Sequence, residues 1–158
     1  MKKSWFKEVI VFLSGSIAGA VGISKITSKS IDANDKRIDK FKSYYSVLTQ
    51  WLALKQKNES LERYFINKRY KTIAIYGMGE LGNRLYEELK TTGIIIEYGI
   101  DKNFGFGDIK ILNLDDELPK VDVIVVTAVF DFDKISNDLK DRVNCPIISL
   151  EDIVYEIY

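Results

Sequence analysis

The sequence TIAIYGMGELGNRLYEELK spans residues 72–90 and contains the clearest structural pattern of this chain. It starts with a short apolar run rich in β-branched residues, which is typical of a buried parallel strand. Three glycines follow, Gly77, Gly79 and Gly82, and their spacing matches G-x-G-x-x-G. Because a helix-like stretch comes next, strand, turn and helix occur in the order of a dinucleotide-binding βαβ unit.

Each glycine of this turn has a predicted physical role. Gly77 makes the tight turn, Gly79 lets a pyrophosphate approach the backbone, and Gly82 lets the helix cross close to the strand. The anion would be held by main-chain amides and by the dipole of the helix N-terminus. The predicted ligand contacts are therefore the six residues of the turn: Gly77, Met78, Gly79, Glu80, Leu81 and Gly82.

A second predicted strand, GIIIEYGID, ends at Asp101, 24 residues after Gly77. An acidic residue at this position holds the ribose hydroxyls in dinucleotide sites, and it favours NAD over NADP. Two alternatives stay open. Asp101 can be an ordinary turn carboxylate, and the glycine turn can serve only to close the fold.

The rest of the chain continues the alternation of strands and helices. Predicted strands are IKIL, VDVIVVTAV and CPIISL, and predicted helical segments are NLDDELPK, DFDKISNDLKDRV and EDIVYEIY. This alternation predicts an α/β fold with a Rossmann-like, doubly wound parallel sheet. Thr127, near the end of its strand, is expected to face the ligand crevice, unless its hydroxyl is satisfied within the fold. The acidic run 115–117 is interpreted as first-turn helix charge, so no metal site is predicted.

An apolar N-terminal run predicts a membrane anchor. Residues 9–23, VIVFLSGSIAGAVGI, carry no charge, and with their flanks the segment 5–26 has 22 residues, roughly 33 Å of helix. Basic residues after this segment favour a single-pass protein of the cell membrane with a cytoplasmic C-terminal domain. The rival interpretation is a cleaved signal peptide with residues 18–20 as its cleavage site. Gly15 and Gly19 form a G-x-x-x-G face that would let two such helices approach closely in a homodimer, although small residues are common in membrane helices in any case.

The charge of the chain is divided unevenly. Residues 1–71 carry 15 Lys and Arg against 6 Asp and Glu, and residues 72–158 carry 8 against 17. A basic half beside an apolar run suits an anionic lipid bilayer. No nucleic-acid partner is expected, because the basic half contains no recognisable groove-reading module.

Between the predicted anchor and the first strand lies an amphipathic helical connector. Its apolar stripe consists of residues at steps of three and four, Ile38, Phe41, Tyr45, Leu48 and Leu52, and Tyr44 and Trp51 widen it. This stripe either packs on the following domain or forms a short coiled coil. Asn58 is predicted to be the N-cap of a second helix. The predicted organisation is an anchor at 1–29, the connector at 30–69 and a nucleotide-binding domain at 70–158.

The chain offers few groups for chemistry, so no catalytic residue is assigned. It has no histidine, and Cys145 is its one cysteine. The pairs Tyr64 with Lys68 and Tyr86 with Lys90 have the spacing of short-chain dehydrogenases, but they precede the first strand or lie on the first helix. No P-loop is present. S-adenosylmethionine stays a weaker ligand candidate, because Tyr76 stands where many methyltransferases have an acidic-led motif.

The segments YKTIAIYGMGELGNRLYEELK, YGIDKN, VDVIVVTAVFDFDKI and CPIISLEDI resemble small Rossmann-like domains of bacterial capsule and exopolysaccharide loci, often labelled nucleoside-diphosphate-sugar epimerases. They are also similar to the N-terminal nucleotide-sugar-binding domain of bacterial sugar acyltransferases. The likeness covers about residues 68–155. It implies the fold and a ligand site at Gly77, Gly79, Gly82 and Asp101. The epimerase reaction is not carried over, because the catalytic tyrosine and lysine are not in their place.

Three functions follow as expectations. The first is a membrane-anchored module that binds NAD or a nucleotide-sugar beside polysaccharide-synthesis enzymes. The second is an NAD-dependent nucleotide-sugar epimerase or oxidoreductase completed by a partner or a second copy. The third is an oligomeric scaffold with a vestigial site.

Overall fold

A computed structural model describes residues 33–102 and 109–158 of the chain. The chain divides into two compact units, Met1–Lys42 and Ser43–Tyr158. Of the first unit, residues 33–42 are described, and they are helical. The predicted membrane segment 5–26, its signal-peptide alternative and the G-x-x-x-G face lie outside the described residues. Among the helices that are described, none combines the length and the apolarity needed to cross a membrane.

Five helices and five strands follow one another along the described chain. Helix α1 covers residues 33–56. The others are α2 (Glu62–Lys68), β1 (Thr72–Tyr76), α3 (Glu80–Leu89), β2 (Ile95–Ile100), β3 (Ile111–Leu112), β4 (Val123–Val126), α4 (Phe132–Leu139), β5 (Ile147–Ser149) and α5 (Leu150–Ile157), with a short 3-10 turn at Val129–Asp131 before α4.

The strands form one parallel sheet in the order β3-β2-β1-β4-β5. The predicted α/β class and the parallel sheet are confirmed, and this strand order is consistent with a Rossmann-like fold. Tyr76, the last residue of β1, pairs with Ile100 of β2 and with Val126 of β4. The three central strands therefore end level with one another at their carboxyl edge.

Both faces of the sheet are covered by helices. Ile73 and Ile75 of β1 point to the side on which side chains of α1, α2, α3 and α5 pack. Ala74 between them belongs to the opposite cluster, which contains Ile135 and Leu139 of α4. Because both faces of β1 and β4 are covered, these two strands read as nearly continuous apolar runs.

Two local predictions were wrong. Asn58 ends α1 instead of starting α2, because it adopts a left-handed conformation with φ +58°, a conformation that asparagine tolerates. The Glu59 N–H then donates to the Leu54 carbonyl, which closes a Schellman-type end. Residues 113–120 contain a turn and no helix, with the Asp116 carboxylate accepting from the Asn113 N–H.

Only one border of the predicted apolar stripe packs in the domain core. Trp51, which widens the stripe, is buried there beside Val47 and Leu54, and Tyr44 packs against the same core. Tyr45, Leu48 and Leu52 are 74%, 44% and 59% exposed. The first interpretation, packing on the domain, is therefore confirmed for Trp51 and wrong for these three residues.

A buried carboxylate fixes α1 and α2 to α3. The Glu88 side chain is 10% exposed. Its oxygens accept from the Trp51 indole N–H at 2.7 Å, the Ser60 hydroxyl at 3.1 Å and the Leu61 N–H at 2.8 Å, and the Lys55 ammonium lies at 2.6 Å. Since these donors come from α1 and from the start of α2, one side chain of α3 positions both helices.

We expect Glu88→Ala to lower the free energy of unfolding by about 2–4 kcal/mol, because it leaves partly buried donors and a lysine without their acceptor. Urea unfolding followed by circular dichroism measures the change. Glu87→Ala is the matched control. Glu87 is exposed and paired with Lys90, so its loss should cost about 0.5 kcal/mol or less. Equal effects of the two variants would contradict this role of Glu88.

At the amino edge of the sheet, Asp122 joins β1 to β4. Its Oδ2 accepts from the Thr72 N–H at 2.8 Å and from the Lys71 N–H at 2.7 Å. These hydrogen bonds, that of Thr72 first, hold the pKa of the Asp122 carboxyl below its usual value. The folded protein therefore stabilises the ionised form of Asp122.

Asp122→Asn should destabilise the protein by about 1 kcal/mol or less at neutral pH, because the group is solvent-exposed. A carboxyl with a lowered folded pKa stabilises above its unfolded pKa, about 3.9, and this stabilisation disappears as the pH falls through the folded value. The difference between wild type and variant should therefore shrink in acid. Unfolding curves at pH values from about 7 to 3 measure it, and a difference independent of pH would refute the assignment.

Candidate functional site

Three residues predicted for the ligand site meet at the carboxyl edge of the sheet. Gly77, Asp101 and Thr127 directly follow β1, β2 and β4, whose last residues are paired with one another. The sheet order reverses between β1 and β4. In open α/β sheets this reversal leaves a crevice in which ligands bind.

Gly77 adopts a conformation that only glycine accepts easily. Its φ is +90°, and its N–H donates to the Ile100 carbonyl at 2.8 Å. Its own carbonyl accepts from the Thr127 hydroxyl at 2.5 Å. Thr127 is only 4% exposed, and its hydroxyl faces the turn because it donates to this carbonyl. Thr127 thus holds the turn in place, and a ligand contact of its own stays a prediction.

Gly82 is required by the close approach of α3 to the turn. A Cβ placed on Gly82 would overlap the carbonyl oxygen of Gly77. The helix can therefore start directly above the end of β1 only because Gly82 has no side chain. This is the role that the sequence predicts for the third glycine.

Gly79 differs from the other two glycines, because the fold does not require it. Its φ of −76° is open to any residue, and an added Cβ would meet no described heavy atom within 4 Å. It is the N-cap of α3, a position where Ser, Asp or Asn stabilises a helix more than glycine does. Among residues 33–102 and 109–158, no atom therefore blocks a close approach to the backbone at Gly79.

The side chains of the turn point away from this open backbone or into solvent. Met78 and Leu81 are each 5% exposed and belong to the core. The Met78 side chain lies over Gly99 of β2, which has no Cβ to block it. Glu80 is exposed, with its carboxylate 3.9 Å from Arg84. Contacts of Glu80 and Leu81 with a ligand would therefore be made mainly by their amides, whereas the Met78 N–H already donates to the Asp101 carboxylate.

Asp101 is attached to the glycine turn. Its Oδ2 accepts from the Met78 N–H at 2.7 Å, so the carboxylate lies beside the turn in the place where a ribose-binding residue is needed. This hydrogen bond is a feature that sequence reasoning missed, since it joins residues 23 positions apart. A ribose contact stays a prediction.

Tyr76 also lies at this end of the sheet, and sequence analysis predicts no site role for it. Burial raises the pKa of its hydroxyl, and the carboxylates of Asp138 and Asp101 raise it further. The phenol is therefore protonated at neutral pH and can donate a hydrogen bond. The feature of the sequence that could have pointed to Tyr76 is its position at the end of β1.

A cavity of about 640 Å³ lies at the amino-terminal ends of the strands, opposite the end that carries the glycine turn. Its lining precedes β4 and β5 in the chain and includes Asp116, Lys120, Arg142 and Cys145. Burial raises the pKa of the Cys145 thiol. Because these residues stand at the amino ends of the strands, the cavity is separate from the glycine turn.

Comparison of this chain with protein-family models, with curated proteins and with solved structures finds no match. The assignment of the site therefore depends on the geometry of the turn and of the strand ends.

Substitution of Gly82 and substitution of Gly79 should have different effects on the stability of the fold. We expect Gly82→Ala to lower the free energy of unfolding by about 2 kcal/mol or more, because the new Cβ collides with backbone. Gly79→Ala should change it by about 1 kcal/mol or less, since it only replaces a glycine N-cap. Denaturant unfolding of both variants measures this difference. Similar losses would show that Gly79 is also needed by the fold.

Proposed function

We propose that this chain binds a nucleotide that contains a diphosphate, of the NAD or nucleotide-sugar type, at residues 77–82. The observation that carries the proposal is the open backbone at Gly79. The fold accounts for Gly77 and Gly82, whereas the conformation of Gly79 requires no glycine and the described part of the chain does not pack on it. A diphosphate that approaches the main chain closely would account for it.

The start of α3 supplies the chemistry for anion binding. The first amides of a helix have no partners within the helix, and its dipole favours negative charge there. Gly79 carries no side chain that could cap these amides. A phosphate would therefore be bound by backbone N–H groups, without a lysine.

The position of Asp101 supports a ligand whose ribose has free hydroxyl groups. Its carboxylate is fixed next to the turn by the Met78 N–H. A carboxylate accepts hydrogen bonds from two ribose hydroxyls and repels a 2′-phosphate, which favours NAD or a nucleotide-sugar over NADP.

The positions of the two tyrosine–lysine pairs argue for ligand binding and against the epimerase reaction. Tyr64 is buried in the core, and Lys68 pairs with Glu156 of α5 at 2.8 Å. Lys90 pairs with Glu87 on α3 at 2.7 Å. Neither pair is placed at the glycine turn, so neither supplies the proton transfer of a sugar epimerase.

The cellular setting is part of the proposal. The apolar run at residues 9–23 supports a membrane-anchored protein with the binding domain in the cytoplasm. The resemblance of residues 68–155 to domains of capsule loci supports a role beside enzymes of surface-polysaccharide synthesis.

Calorimetric titration of the full chain with NAD, NADP, UDP-sugars and S-adenosylmethionine tests the ligand. We expect NAD or a UDP-sugar to bind and Gly79→Val to weaken binding at least tenfold, because the valine side chain occupies the place of the phosphate. Gly93→Val is the control, since Gly93 is exposed and lies after α3. Circular dichroism checks that both variants fold. If wild type binds none of the four, the turn serves only the fold, and turnover of a UDP-sugar would show an enzyme.

Asp101→Asn tests the ribose contact. The amide retains an oxygen that can accept from the Met78 N–H, but it loses the negative charge. We expect binding of NAD to weaken about tenfold, or about 1.4 kcal/mol, and the preference over NADP to decrease. Unchanged affinity for NAD would place Asp101 outside the ligand site.

A further inference from the structure

Thr127 and Asp101 hold one peptide group of the glycine turn from opposite sides. The Thr127 hydroxyl donates to the Gly77 carbonyl at 2.5 Å. The Asp101 carboxylate accepts from the Met78 N–H at 2.7 Å. This carbonyl and this N–H belong to the same peptide group, and in a planar trans peptide they point in opposite directions. A residue that follows β4 and a residue that follows β2 are therefore linked through a single rigid unit.

The proton of the Thr127 hydroxyl is used by the Gly77 carbonyl. A hydroxyl carries one proton. The other acceptor within reach, the Tyr76 carbonyl at 3.2 Å, already accepts from the Thr127 N–H at 2.9 Å. The shorter contact therefore takes the hydroxyl proton, and Thr127 has no donor left for a ligand.

The two hydrogen bonds of this peptide group strengthen each other. A donor on the carbonyl oxygen of an amide polarises the amide and makes its N–H a better donor. The preceding peptide group is fixed as well, because the Gly77 N–H donates to the Ile100 carbonyl at 2.8 Å. Since Ile100 directly precedes Asp101, the turn and the end of β2 are joined at two successive positions.

The glycine makes the hydroxyl necessary for the orientation of this peptide group. Gly77 has a φ of +90°, and a glycine accepts many orientations of the peptide group that follows it. Rotation about Gly77 would turn the Met78 N–H away and break the hydrogen bond that holds the Asp101 carboxylate beside the turn. The Thr127 hydroxyl therefore selects the orientation in which this hydrogen bond forms.

We infer that Thr127 is a positioning residue for recognition of the ribose. It acts on the ligand through the Gly77–Met78 peptide group and Asp101, without touching the ligand itself. The inference rests on the proposed function, because it requires that Asp101 contact the ribose hydroxyls. It assigns the preference for an unphosphorylated ribose to the ends of two strands, β2 and β4, on either side of β1.

Hydrogen exchange of the Met78 amide, followed by NMR, tests the link without a ligand. We expect Thr127→Val to speed this exchange about tenfold, because the peptide group loses the donor that orients it. The Ile124 amide is the internal reference. It donates to the Pro146 carbonyl at the opposite end of the sheet, so a general loss of stability would speed exchange at both amides. Equal acceleration at the two amides, or none at Met78, would overturn the inference.

Further variants separate the hydroxyl from the shape of the side chain. Thr127→Ser retains the hydroxyl and should exchange at Met78 like wild type, whereas Thr127→Ala should exchange like Thr127→Val. These two variants differ in the hydroxyl alone, so they decide the question if the valine variant does not fold. Thr92→Val is the matched control. Its hydroxyl donates to the Leu89 carbonyl at 2.7 Å after the last turn of α3, and its loss should leave exchange at Met78 unchanged.

A double-mutant cycle tests the effect on the ligand. Calorimetric titration with NAD and with UDP-glucose compares wild type, Thr127→Val, Asp101→Ala and the double variant. We expect Thr127→Val to weaken binding about fivefold in wild type and to have little further effect beside Asp101→Ala, since the threonine acts through this carboxylate.

The outcomes of this cycle distinguish the inference from the proposed function. Effects of the two substitutions that multiply would show that Thr127 acts independently of Asp101, and they would reject the inference alone. If wild type binds neither ligand, the proposed function and the ligand role of Thr127 both fail. Faster exchange at Met78 would then show only that the two hydrogen bonds are coupled within the fold.

Discussion

The contact of Gly82 with the carbonyl of Gly77 is the constraint from which the rest of this fold follows. It lets α3 begin directly at the end of β1. The turn held there joins three strands, since the Gly77 N–H bonds to Ile100 of β2 and the Gly77 carbonyl accepts from Thr127 after β4. A bulkier residue at either glycine would separate helix from strand, and the carboxyl ends of the sheet would lose their common edge.

This arrangement explains why the proposed anion site would need little from side chains. The turn uses two of its glycines for its own geometry, and the remaining one, Gly79, gives the N-terminus of α3 no side-chain cap. The side chains near it are buried, as for Met78, bound to the backbone, as for Asp101, or exposed, as for Glu80. A site of this kind recognises a phosphate by shape and dipole, and it provides orientation more readily than catalysis.

Helix α3 connects the proposed ligand site to α1. Its first turn forms the proposed phosphate site, and Glu88 near its last turn holds α1 through Trp51 and Lys55. The position of α1 thus depends on a carboxylate carried by the same helix that begins after Gly79.

The sequence by itself determined the parts that depend on local order. Strand, glycine turn and helix at residues 72–90, the alternation that makes the sheet parallel, and the roles of Gly77 and Gly82 could all be read from residue type and spacing. Tertiary structure decided the rest. Helix α1 carries two apolar faces, and periodicity cannot say that Val47 and Leu54 turn inward while Tyr45 stays outside, because the choice depends on which face fits α3 and α5. Asn58 favours a helix start and a left-handed helix end alike, so only the path to α2 selects between them. The bond of Asp101 to Met78 and that of Thr127 to Gly77 arise only when the strands stand side by side, because hydrogen bonds between distant residues leave no periodic trace in the sequence.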